Sequence, residues 1–289
     1  MNKIVNSLGR KIGISIDEKI KIDNEKLEFW LKRFCPCLKN VPSGKVDYQI
    51  YLTLDQNEVV SANDFESHIQ GMWSNGCESF LAKYVAQVFQ QLMLKDDILI
   101  VPAACITLND SAILIMGDYW QGKTSVAMYV KEHIEGIKII SDNYIAVKDD
   151  KVIGHSSFVS LRKDNSHTAI YGTSIVERNN RLFFESEEDS CSYQLSGICI
   201  PFINSDDNNF HNITKEESVW YLYQKLSRLL NGECVMFNGR VPSPIFNNAD
   251  SSQKILNVAN RWASKYILRY ASGSLPNICT SIEKLFVIK

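Results

Sequence analysis

Eight residues carry the clearest chemical signal in the chain: Gly117-Asp118-Tyr119-Trp120-Gln121-Gly122-Lys123-Thr124. They fit the pattern Gly-x-x-x-x-Gly-Lys-Ser/Thr. In such a loop, backbone N–H groups turn inward to cradle phosphate oxygens, and the following helix adds its positive N-terminal end. The candidate phosphate contacts are Gly117, Gln121, Gly122, Lys123, Thr124 and Ser125. Lys123 would reach the outer phosphates and stabilise a transferred phosphoryl group, and the Thr124 hydroxyl would hold Mg²⁺. A turn can match this pattern by chance, so the flanks decide. Residues 112–116, Ala-Ile-Leu-Ile-Met, read as a strand entering the loop, and residues 123–133 read as a helix leaving it. That strand–loop–helix order is what the motif requires. Tyr119 and Trp120 are bulky for a loop interior, where they would stack on a base, lid the site or pack against the N-terminal region.

The next strand, residues 137–140, ends at Ser141-Asp142-Asn143. A strand that follows the loop's helix returns its C-terminal end to the loop side of the sheet, where ligands of open α/β sheets gather. Asp142 is therefore a candidate general base, a candidate Mg²⁺ ligand, or both. Asp and Asn are also favoured in any strand-to-hairpin turn.

Residues 97–162 resemble the P-loop core of HPr kinase/phosphorylase and its relatives, among them kinases encoded with peptide-modification genes. PEP carboxykinase shares that fold more distantly. The resemblance rests on Ala112-Ile-Leu-Ile-Met-Gly117, on Gly122-Lys123-Thr124, and on Ile139-Ile140-Ser141-Asp142 arriving so soon after the loop. It implies ATP and Mg²⁺ as cofactors and a hydroxyl acceptor on a peptide or small molecule. It also implies Asp142 as base, with Thr124 and Asp142 near the metal. Val159-Ser160-Leu161-Arg162 is similar to a segment of the peptide-kinase branch that ends in a basic residue, so Arg162 is a candidate for nucleotide or acceptor phosphate. Three positions depart from the family pattern: Asn143 replaces a second aspartate, Pro102 a histidine, and Trp120 a glycine. These departures keep two alternatives in view, a nucleotide- or partner-binding module without catalysis, and an NTPase switch.

The elements that must position these residues suggest an α/β fold with a mixed, twisted sheet around the loop. Residues 1–96 form an α+β N-terminal region, and residues 97–289 the P-loop core with C-terminal helices. In the first region, residues 11–16 and 19–22 read as a hairpin, Asn24 as the cap of a short helix, 48–54 as a strand and 78–95 as a helix. Residues 98–101 and 103–108 are apolar segments on either side of Pro102. Residues 144–147 and 152–153 flank Asp149-Asp150 as a second hairpin, and 195–203 form a strand candidate containing Pro201. Thr214 with Glu217 makes a capping box. A last helix is expected from Asp250 or Ser251 to about Ala271, while 186–192 and 204–212 read as exposed loops.

Composition narrows the function classes. The 289 residues are 45% hydrophobic and 22% charged with net charge −2, enough apolar side chain for a full core. That charge argues against a surface-wide attraction to nucleic acid or anionic lipid. No run approaches the roughly 20 apolar residues that span a bilayer, so a cytoplasmic location without a membrane partner is expected. The acceptor, and a second copy in a homo-oligomer, are the expected partners. The histidines do not form a metal spacing, though His155 follows the second hairpin as a candidate phosphate contact. The eight cysteines read as free thiols, Cys105 and Cys199 as small buried hydrophobes. The acidic run 185–189 reads as a solvated loop.

Overall fold

The fold is mixed α/β, seen in a computed structural model of the chain. The residues it describes are 2–73, 77–118, 121–162, 176–178, 180–186, 192–203, 210–228, 235–236, 239–240, 248–266 and 268–287. Tyr119, Trp120, His167, residues 187–191 and residues 204–209 lie outside them. The chain divides into two compact units. One comprises Met1–Ile100 with Ser227–Ile255, the other Val101–Leu226 with Leu256–Lys289.

The first unit holds β1 (Asn2–Ser7), β2 (Arg10–Ile16), α1 (Asn24–Phe34), β3 (Leu38–Val41), β4 (Tyr48–Leu54), β5 (Val59–Ala62), β6 (Glu66–Gly71) and α2 (Cys77–Leu94). Its six-stranded sheet runs β3-β1-β2-β4-β6-β5. The expected hairpin within 11–22 is corrected. β2 instead pairs with β1 across Leu8-Gly9, both left-handed at φ 50 and 91, and residues 19–22 are not a strand. Two left-handed central residues give the turn whose twist matches a hairpin. α1 is capped one residue earlier than expected, by the Asp23 carboxylate accepting from the Lys26 amide at 3.0 Å. α2 is buried nearly all round, including Gln87 and Gln90.

The second unit is built on β7 (Leu99–Leu108), β8 (Ser111–Met116), α3 (Lys123–His133), β9 (Lys138–Ser141), β10 (Tyr144–Lys148) and β11 (Lys151–His155). β12 (Phe158–Arg162), β13 (Val176–Arg178), β14 (Arg181–Glu185), β15 (Tyr193–Ile203), β16 (Phe210–Asn212) and α4 (Lys215–Leu226) follow. The short β17–β18 ribbon (Val235–Met236, Gly239–Arg240) and the start of α5 (Asn248–Lys265) belong to the first unit; the rest of α5, β19 (Leu268–Gly273) and α6 (Leu275–Val287) complete the second. The main sheet runs β11-β10-β7-β8-β15-β19-β16, with β9 also on β7. β11 pairs with β15 as well as β10, so five strands close into a ring at the end away from the loop. β12, β14 and β13 make a separate antiparallel sheet.

Both prolines fall where a missing N–H loses no bond to β8. β7 is one strand through Pro102, and its pairing with β8 begins at Ala103. β15 runs through Pro201, past its last β8 partner at Cys199. The expected C-terminus is corrected in two ways. The expected helix starts at Asn248, ahead of the cap expected at Asp250 or Ser251, and ends at Lys265, and residues 268–273 insert as β19 between β15 and β16. A further helix, α6, closes the chain. Four or five apolar residues after a helix carry no period that separates more helix from a buried strand. α3, α6 and the inner side of the small sheet share one core, with Val126, Met128, Val159, Leu161, Phe184 and Ile282 buried together.

Candidate functional site

The loop's shape follows from its two glycines and one lysine. Gly122 sits at φ 83, a left-handed conformation that glycine alone adopts without strain, and it caps α3. A Cβ there would run into the side chain of Ile203, at the end of β15. No side chain caps α3, and the first intrahelical bond is Val126 N–H to Gly122 carbonyl at 2.8 Å. The amides of the helix's first turn therefore face outward with the positive end of the helix behind them. Lys123 folds back across the loop, its Nζ donating to the carbonyls of Gly117 at 2.9 Å and Asp118 at 2.7 Å. Gln121 accepts the Asp118 amide at 2.6 Å, which tightens the turn from inside. Asp118 in turn meets Lys225 of α4 at 2.5 Å. Gly117 is buried; Gln121, Lys123, Thr124 and Ser125 are half-buried.

Asp142 is brought beside this loop by strand direction. β9 and β8 both run antiparallel to β7, which lies between them, so their C-terminal ends point the same way. Ala103 pairs with Met116 on one side and donates its N–H to the Asn143 carbonyl on the other, at 3.0 Å. The turn at 141–143 thus stands about 10 Å from the start of the loop, two interstrand spacings across β7. The carboxylate is half-buried and oriented from one side. Its Oδ2 accepts from the Ser160 amide at 3.1 Å and the Ser160 hydroxyl at 2.8 Å. Arg181 Nη1 donates to that hydroxyl at 2.8 Å. Ser141 holds the turn itself. Its hydroxyl accepts the Asn143 amide at 3.1 Å and lies 2.6 Å from the Ser156 hydroxyl.

Arg162 ends β12, two residues beyond Ser160 and hence on the same side of its strand. It joins the Asp142 neighbourhood through that strand. His155 ends β11. It is buried, with Nδ1 3.0 Å from the Ser156 carbonyl and 3.3 Å from the Ser186 hydroxyl. Among the described residues, no group of three or more His, Cys, Asp or Glu could enclose a metal. The described cysteines are free thiols, with Cys105 and Cys199 fully buried. No described helix is long and apolar enough to cross a membrane.

Sequence reasoning missed Ser160, Arg181 and Lys225. The alternation Val159-Ser160-Leu161-Arg162 does carry a signal that Ser160 and Arg162 share one side. Arg181 and Lys225 reach the site through strand register and helix docking, which nothing local encodes. No protein-family model matches the chain, and a search of curated proteins found no match to it.

Proposed function

We propose that the chain is an ATP-dependent, Mg²⁺-dependent kinase with an HPr-kinase-like core that phosphorylates a hydroxyl on a peptide or small-molecule acceptor. The observation that carries this reading is the pairing across β7, which sets Asp142 beside the loop that ends in Lys123 and Thr124. The residues fit the implied groups. A left-handed Gly122, an uncapped helix start and a lysine at the loop mouth suit a triphosphate. Mg²⁺ keeps several waters and needs only one or two protein oxygens beside the phosphates, which Thr124 and Asp142 would supply.

In this reading the α3 amides and Lys123 bind the phosphates and neutralise charge as the γ-phosphoryl leaves. Bound Mg²⁺ contributes electrostatic stabilisation of the same charge. Ser160 fixes Asp142 by one oxygen, leaving the other to take the proton of the acceptor hydroxyl as the new P–O bond forms. Replacing Asp142 with Asn keeps an oxygen for Ser160 but removes the base. Transfer of labelled γ-phosphate into a panel of serine peptides and alcohols should then fall by about 10²–10⁴ while nucleotide binding survives. Undiminished transfer by Asp142→Asn would sink the assignment.

Asn143 favours a second reading, a nucleotide-binding module without transfer, because an amide supplies no charge to a metal. Nucleotide-dependent thermal stabilisation with neither transfer nor ATP consumption is its signature. Steady phosphate release without any acceptor would instead indicate an NTPase switch.

A further inference from the structure

β12 splits its side chains between two environments. Val159 and Leu161 enter the core shared with α3, so Ser160 and Arg162 point to the opposite side. β14 is in register so that Arg181 stands directly across from Arg162. Directly opposed residues in an antiparallel pair have Cβ atoms about 5 Å apart, and opposed like charges destabilise a sheet. The sequence nonetheless places arginine against arginine. This pair is also tied to the candidate base. Arg181 bonds the Ser160 hydroxyl, and that hydroxyl bonds Asp142. Arg181 thereby stands one hydroxyl away from the carboxylate proposed to receive the acceptor's proton, with Arg162 beside it in register. A planar guanidinium pair suits an oxyanion with two or three oxygens.

We propose that Arg162 and Arg181 hold an anionic group of the acceptor, a carboxylate or a phosphate, so that the hydroxyl presented to Asp142 belongs to a hydroxy acid or a phosphorylated alcohol rather than to a neutral molecule. The proposal rests on the kinase reading for its purpose but is tested by binding alone. Glycerate, glycerol 3-phosphate and glycerol share a hydroxylated skeleton and differ in their anionic group. Their affinities are measured calorimetrically on the full chain with Mg²⁺ and a non-hydrolysable ATP analogue present, so that the loop is filled.

At least one anionic probe is expected to bind about tenfold or more tighter than glycerol, and which one it is distinguishes carboxylate from phosphate. Arg162→Gln and Arg181→Gln should each erase that preference, Arg181→Lys should restore part of it, and affinity for the ATP analogue should stay within about twofold. Circular dichroism on each variant separates lost binding from lost folding, and Arg181→Lys carries the test if either glutamine variant fails to fold. Equal binding of the three probes, or an unchanged preference in the folded variants, overturns the proposal. So does a parallel loss of analogue affinity, which would assign the arginines to the nucleotide. Absence of phosphoryl transfer with the anion preference intact would count against the kinase reading alone.

Discussion

Two acidic turns in the second unit look alike in sequence and have opposite fates. Ser141-Asp142-Asn143 joins β9 to β10, and Asp149-Asp150 joins β10 to its hairpin partner β11. Asp150 is fully engaged. Its side chain is 6% exposed and accepts from Arg261 at 3.2 Å, the Trp262 indole at 2.7 Å and Lys265 at 2.9 Å, all on α5. Its carbonyl also takes the Leu195 amide, near where β11 closes the ring against β15. Both residues of this turn are left-handed, at φ 48 and 59. Asp142 lies at the other end of the sheet, half-buried, with one oxygen on Ser160. A carboxylate saturated by donors holds elements together; among the described residues, Asp142 is held through one oxygen by Ser160. The contrast is one of partners, not of residue type.

The sharpest way to break this comparison is to neutralise each carboxylate in turn. Asp142→Asn should cost transfer about 3–5 kcal/mol of barrier, the equivalent of the loss given above, and change thermal stability little. Asp150→Ala should do the reverse. It strands Trp262 and loosens two cations, so we expect about 3 kcal/mol of lost stability with nucleotide affinity per folded molecule unchanged. Denaturant unfolding and nucleotide titration on both variants check the exchange. Equal effects of the two variants on transfer and on stability would dissolve the distinction.

The same pair gives a pH test. Burial alone would raise the Asp150 carboxyl, but hydrogen bonds from Lys265 and Trp262 and the charge of Arg261 outweigh it and hold it below the ordinary 3.8. A carboxyl depressed in the folded state stabilises fully above its unfolded value and loses that contribution as pH falls through the folded one. The stability gap between the native chain and Asp150→Asn should therefore be constant near neutrality and shrink only below about pH 4. Urea midpoints from pH 7 to pH 3 measure it. A gap that widens on acidification would mean the carboxyl is raised rather than lowered.

The loop and α3 were legible because their determinants are local: a glycine at each end, a lysine at a fixed offset, and apolar runs of the right period on either side. β9 and the direction of Asp142 followed from the return of the strand after the loop's helix to the loop side of the sheet. The hairpin at Asp149-Asp150 followed from turn chemistry. What failed depends on distant partners. β19 becomes a strand because β15 and β16 have edges to offer, and that choice is absent from its own residues. The fully donor-bound state of Asp150 depends on α5, about 110 residues later, just as Arg181 at Ser160 depends on register.

Gly122 gives a smaller effect that separates backbone strain from contact. Alanine at φ 83 costs about 1–2 kcal/mol for the left-handed conformation alone, and its methyl meets Ile203. Gly122→Ala should weaken nucleotide binding about tenfold, since 1.4 kcal/mol is one decade. Adding Ile203→Ala should relieve the steric part and leave the strain. Full recovery in the double variant would show that the left-handed backbone is dispensable.

The smallest expected effect concerns the ion pair beside the loop. Asp118 is 57% exposed, so its bond to Lys225 contributes little to folding, under about 1 kcal/mol. Its consequence is electrostatic. Lys225 also lies over the Tyr221 ring at 5.1 Å, which holds the ammonium in place against Asp118. Lys225→Met keeps the stem but leaves the Asp118 charge beside phosphates that Lys123 must attract. Nucleotide affinity should fall by about two- to threefold at low salt, and the loss should fade near 0.5 M salt as screening takes over. Asp118→Asn should shift affinity the other way, and the double variant should return close to the native value, because neutral partners leave no charge to balance. A loss that persists at high salt, or that the double variant does not repair, would make Lys225 a packing residue of α4 rather than part of the loop's charge balance.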